Sequence, residues 1–209
     1  METTIIYDTH IESGNNANKN YGGSEVLEGK LLFPSHILLR WDISSDILKE
    51  LKLLLNINET RLGLSGTENT WPTNINMKFD LYSLSKPFDE LEVTWNSAPK
   101  AELLAKDFVS VLSNRSSGVV TLNLLPYSDF IKNGIMLKLN DFLLSDINNK
   151  YPGAEIETHL TSKYYPYVGF HSSESQKPPI LIYDYGIKPP QPKITSPTWG
   201  AIINKKIRL

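Results

Sequence analysis

Period-two alternation constrains this chain most: Ile75, Met77, Phe79 and Leu81 alternate with Asn76, Lys78 and Asp80. Such an order puts apolar side chains on one face of an extended strand and leaves the other face wet. Further β-prone runs fall at residues 36–42, 118–124, 135–139, 165–170 and 180–185, separated by Gly, Pro and Asn turn formers. Residues 5–32 read as a strand, a long Ser/Gly/Asn loop at 13–24, and a short strand around Val26 and Leu27. One segment is ambiguous. Leu48, Leu51 and Leu55 after Ser45 and Asp46 fit a capped helix, while Leu51, Leu53, Leu55 and Ile57 fit a strand. Asn56, Asn58 and Thr60 lower helix propensity, which favours a helical turn at 45–48 followed by a strand. Residues 127–131 read as one helical turn. Many short strands with few helices predict an all-β antiparallel sandwich.

Composition narrows the function classes. Lys and Arg total 21 against 23 Asp and Glu, so no net basic field favours a nucleic-acid partner. The absence of Cys excludes disulfides, thiol nucleophiles and cysteine-held metal or iron–sulfur sites. The 209 residues suit one domain plus a tail. The first residues lead directly into Ile5, Ile6 and Tyr7 with no basic or long apolar leader, so export by a signal peptide is not expected. The most apolar-rich stretch, 48–57, is broken by Lys49, Glu50, Lys52 and Asn56, and no membrane insertion is expected. Pro189, Pro190 and Pro192 read as a polyproline II spacer. That divides the chain into a domain at 1–185 and a spacer with a C-terminal docking tail at 186–209. Trp199, Lys205, Lys206 and Arg208 are the tail's candidate contacts.

Residues 88–99, Phe-Asp-Glu-Leu-Glu-Val-Thr-Trp-Asn-Ser-Ala-Pro, resemble the hallmark of the DNRLRE family, grouped with carbohydrate-binding module family 96. Four further pieces fall in the family's order. These are Tyr7-Asp8-Thr9, Asn20-Tyr21-Gly22 before Val26-Leu27, the run Leu38-Leu39-Arg40-Trp41-Asp42-Ile43-Ser44, and Phe170-His171-Ser172-Ser173-Glu174 with Pro178-Pro179-Ile180-Leu181. The resemblance implies a jelly-roll sandwich in which most of the motif is scaffold. Trp95 would plug the core, Thr94 and Asn96 would satisfy turn backbone groups, and Pro99 would end the segment. Ser172, Ser173 and Glu174 would fix the loop before the last strand. The chain departs from the pattern at 63–76, at 141–164 and in its tail.

The chemistry-bearing residues are sparse. Asp89, Glu90 and Glu92 lie close in sequence, but a glycosidase needs two carboxylates across a cleft, and proximity alone does not supply one. The four His, at 10, 36, 159 and 171, lack metal-ligand spacing, and no nucleophile elbow or phosphate loop occurs. No cofactor is expected. Analogy with lectin-like jelly rolls makes a structural calcium on Asp8, Asp42 and Glu174 conceivable, against the alternative that these carboxylates bond turn amides. Sugar recognition calls for exposed aromatic faces beside polar side chains. Trp71, Tyr164, Tyr165 and Tyr167, with Lys163 and Arg61, are the candidate glycan or partner surface.

These readings together lead to an expectation of a non-enzymatic structural or adhesive protein. It would be a virion or phage component such as a decoration, collar, fibre or tail adaptor, assembled in the host cytoplasm and docking on a protein partner or oligomer through its tail. The alternative is a polysaccharide-binding module, extracellular if exported by another route. A polysaccharide-degrading enzyme stands third.

Overall fold

The computed structural model describes residues 6–31, 34–43, 48–62, 64–65, 75–141, 155–156 and 166–186. The chain is all-β and antiparallel. Its strands are β1 (Ile6–Glu12), β2 (Val26–Lys30), β3 (Ser35–Trp41), β4 (Leu48–Arg61), β5 (Leu64–Ser65), β6 (Asn76–Leu84), β7 (Ala101–Leu112), β8 (Val119–Asn123), β9 (Ile135–Leu139), β10 (Glu155–Ile156), β11 (Tyr167–His171) and β12 (Ile180–Tyr185). Ten of them form one sheet in the order β12-β4-β11-β2-β3-β9-β6-β7, with β1 added to β3 and β8 to β4. The sheet curls into a half-barrel of sandwich type. Strands β5 and β10 pair separately.

The curl brings two sets of apolar faces together. Leu51, Leu53, Leu55 and Ile57 of β4 meet Phe79 and Leu81 of β6, Leu137 and Leu139 of β9, and Phe170 of β11 in the main core. Gly29 belongs to this packing, because a Cβ there would lie 2.8 Å from the Phe79 ring. A second, smaller cluster covers the opposite face, where Ile11, Leu38 and Met136 pack under Leu84, Phe88 and Val93. Residues 85–100 therefore act as a lid of loop over β1, β3 and β9.

One local expectation needs correction. No strand is read from sequence at 101–112, yet β7 is a long edge strand there. Most of its residues are exposed or half-buried, and pairing with β6 shifts register between Phe79 and Tyr82, so no alternation develops. Asp107 adopts a left-handed φ of +50° at this irregularity. Its backbone N–H donates to Asp80 Oδ1 at 2.9 Å, and its carboxylate accepts from Asn140 Nδ2 at 2.8 Å. The turn read at 127–131 is present, with the Phe130 N–H donating to Tyr127 O at 2.9 Å, and a 3-10 turn at Leu125–Tyr127 leads into it. Leu48 starts β4, and the helical turn expected just before it falls on residues 44–47, outside the described residues.

Candidate binding cleft

The cleft is built where β1, the lid loop and the β11–β12 loop meet. Ile6, Tyr7, Arg40, Asp89, Glu90, Leu91, Ser173 and Glu174 line a depression of about 420 Å³. Cross-strand pairing of Tyr7 with Arg40 puts both side chains on one face. The guanidinium lies 4.0 Å from the Tyr7 ring centroid, a cation–π stack. Arg40 Nη1 also donates to Asp42 Oδ1 at 3.1 Å. Leu91, 69% exposed, stands on the rim because the lid loop turns sharply there. That turn is closed by the Leu91 N–H donating to Asp89 Oδ1 at 2.9 Å and the Val93 N–H donating to Asp89 O at 2.9 Å. Glu90 and Glu92 therefore do not share the face of an extended segment.

Asp8, next to Tyr7 on β1, is 1% exposed. Its carboxylate accepts from the Ser173 N–H at 2.8 Å and the Ser173 hydroxyl at 3.2 Å, tying β1 to the β11–β12 loop. Burial pushes the carboxyl up to about 7, with Glu174 and Glu90 adding repulsion. The Asp8 backbone N–H favours the charged form of the Glu90 carboxyl and pulls it in the opposite direction. Glu90 is itself held above the ordinary glutamate range, chiefly by burial and then by Glu174. Carboxylates thus outnumber the one cation.

Beside the cleft, β1 carries a second polar group of residues into the interior. Lys30 Nζ sits 3.1 Å from Glu12 Oε1 and 2.9 Å from Glu28 Oε2. The Tyr21 hydroxyl donates to Glu12 Oε2 at 2.8 Å, and the Tyr21 ring stacks on His10 at 4.2 Å. His10 is 2% exposed, and burial lowers its imidazole to about 4.

The expected site residues distribute unevenly. Trp71, Lys163, Tyr164, Tyr165, Trp199, Lys205, Lys206 and Arg208 lie outside the described residues. Tyr167 is corrected: it is 1% exposed on β11, its hydroxyl donates to Glu28 Oε1 at 3.4 Å, and it offers no face to a sugar. Alternation along 164–167 gave no way to tell an inward from an outward ring. Arg61, paired across the sheet with Tyr167, forms an ion pair with Glu59. Trp95 is also corrected, because it is half-buried over the second cluster, with His36 at 4.7 Å, rather than plugging the main core. Thr94 satisfies its turn as expected, its Oγ accepting from the Ser97 N–H at 3.3 Å. Asn96 instead donates through its side chain to Asn18 Oδ1 at 2.7 Å, so it ties two loops together. Pro99 is buried at the end of the lid.

Ser172, Ser173 and Glu174 do fix their loop: the Glu174 N–H donates to Ser172 Oγ at 3.3 Å and the Ser173 hydroxyl bonds Glu174 Oε2 at 2.8 Å. Asp8, Asp42 and Glu174 are not gathered into a ligand set, and among the described residues no group of three or more His, Asp or Glu is placed to hold a metal ion. Sequence reasoning missed Tyr7 and Glu90 as cleft residues and assigned Arg40 to the scaffold. The signal was present in the Tyr7-Asp8-Thr9 and Leu-Leu-Arg pieces, but only cross-strand register joins them.

No helix among the described residues is long and apolar enough to cross a membrane. Among curated proteins, none matches the chain. A family model does match residues 1–116, the span that carries Tyr7, Arg40, Glu90 and the lid loop, and the chain belongs to carbohydrate-binding module family 96.

Proposed function

We propose that the protein binds a polysaccharide, without chemical conversion, in the cleft bounded by Tyr7, Arg40, Glu90, Leu91, Ser173 and Glu174. The observation that carries this reading is the Tyr7–Arg40 stack lining the same open cleft as three carboxylates. Apolar surface on Tyr7 and Leu91 can take the C–H face of a sugar ring, while carboxylates accept from hydroxyls and the guanidinium donates to them. Excess carboxylate favours an uncharged chain over a uronate polymer, since like charges held close in a partly desolvated cleft repel. Family membership supports the same reading. It reverses the order of the two expectations: the assembly role rests on a tail outside the described residues, while the binding role draws on the cleft and the family.

A glycan array on the full chain identifies the ligand, and titration calorimetry then compares Tyr7→Ala and Arg40→Ala with wild type. Each variant should lose about tenfold or more in affinity, about 1.4 kcal/mol, while near-ultraviolet circular dichroism shows the fold retained. Unchanged affinity in both folded variants would move the site elsewhere.

A further inference from the structure

The Asn20-Tyr21-Gly22 piece lines no part of the cleft, yet it touches the one loop that supplies Glu90. Asn20 Nδ2 donates to Glu90 O at 2.7 Å and to Val93 O at 2.8 Å, while Asn20 Oδ1 accepts from the Gly22 N–H at 3.1 Å. One side chain therefore closes its own turn and grips the lid loop from beneath. Gly22 is buried directly against that loop: a Cβ there would lie 2.1 Å from Glu90 O and 2.7 Å from Glu90 C, which no real Cβ tolerates. The neighbouring Gly23 has open space around it. Tyr21 fastens the turn to β1 through its hydroxyl on Glu12 and its ring on His10. A second tie runs parallel, with the Asn96 N–H donating to Ala17 O at 3.2 Å.

We propose that Asn20 and Gly22 are positioning residues that set the Glu90 carboxylate against β1 and so shape the sugar-binding cleft. The consequence for sugar binding rests on the reading above, whereas the placement of Glu90 does not. Moving Glu90 takes a carboxylate away from Asp8 and Glu174 and changes the surroundings of the Asp8 N–H. Glycine at 22 is then required by close backbone approach rather than by turn conformation.

The test follows carboxyl carbons by NMR during pH titration of the full chain, in wild type and in Gly22→Ala, Asn20→Asp and Gly23→Ala. Asn20→Asp keeps an oxygen for the Gly22 N–H but cannot donate to Glu90 and Val93, so it reads the same grip if Gly22→Ala does not fold. The groups facing Asp8 and Glu90 are Glu174, Asp89 and Arg40, and all three are left in place. Gly22→Ala should bring the Glu90 midpoint down toward the ordinary glutamate range and lower that of Asp8, and both Gly22→Ala and Asn20→Asp should shift the Asp8 amide resonance. Gly23→Ala should match wild type. Affinity for the array-identified glycan should fall about tenfold in the first two variants only. Wild-type titration of Glu90 and Asp8 in a folded Gly22→Ala, or a wild-type Asp8 amide resonance in Asn20→Asp, overturns the proposal. Shifted carboxyls with unchanged glycan affinity support the positioning role and overturn the cleft as the sugar site instead.

Discussion

Strands β4 and β1 are both deeply buried, but they bury different things. Along β4 the inward positions are Leu51, Leu53, Leu55 and Ile57, with Lys52, Leu54 and Asn56 half-buried on the other face. Along β1 the interior receives Asp8, Thr9, His10 and Glu12, none more than 5% exposed. The cause is position. The inward face of β4 meets only apolar partners of the main core, so its chemistry can be uniform. In contrast, β1 has Ile6 in the main core and Ile11 in the second cluster, while loops cover its remaining edge. Buried polar groups must find partners, so β1 gathers Ser173, Lys30, Tyr21 and Glu90 around it. The contrast separates a strand that holds the fold from one that organises a cleft.

The largest effect that would sharpen this contrast comes from Lys30. Lys30→Ala should cost about 3–5 kcal/mol, because Glu12 is left charged and buried. The double variant Glu12→Gln with Lys30→Met should recover much of it, whereas Leu53→Ala on β4, at about 2–5 kcal/mol, should have no such polar rescue. Urea denaturation measures all three, and a double variant as unstable as the single would mean that β1 behaves like an ordinary core strand. A smaller effect belongs to Trp95. Being half-buried on the second cluster, Trp95→Ala should cost about 1–2 kcal/mol, below the about 3–5 kcal/mol of a fully buried aromatic. A loss in that higher range would return Trp95 to the core.

The smallest net effect is on pH dependence, because buried groups on β1 and β3 oppose one another. His10 and His36 have folded values near 4, below the ordinary 6.5, so their contribution is present above 6.5 and is lost as pH falls toward 4. Asp8 is raised from 3.8 to about 7, so its contribution is full below 3.8 and is lost as pH rises through 7. Between pH 4 and 7 the two trends partly cancel. Asp8→Asn should remove one of them, leaving a stability that rises more steeply with pH over this window in thermal melts. An unchanged slope would mean that Asp8 titrates as an ordinary carboxylate.

Most strands were legible from apolar alternation or from β-prone runs bounded by turn formers, as in β6, and the long apolar run of β4 resolved toward strand once its Asn and Thr residues were weighed. The edge strand β7 was not, since an edge with a bulge has no dry face to announce it. Trp95 was legible as a packing residue but not as to which of two clusters it covers. Tyr167 looked like one more ring in an aromatic run. Its burial is a property of β11 lying between β2 and β4, which no local pattern encodes.

What this sequence determined alone is the all-β class, the positions of most strands and turns, and the family's motif pieces in order. These depend on residues near one another in the chain, through alternation, turn chemistry and capping. The tertiary structure alone decided that Tyr7 meets Arg40, that Asp8 meets Ser173, and that Asn20 and Gly22 seat Glu90. Those pairs are separated by 33, 165 and about 70 residues, and they meet only because antiparallel register and a curled sheet bring them together.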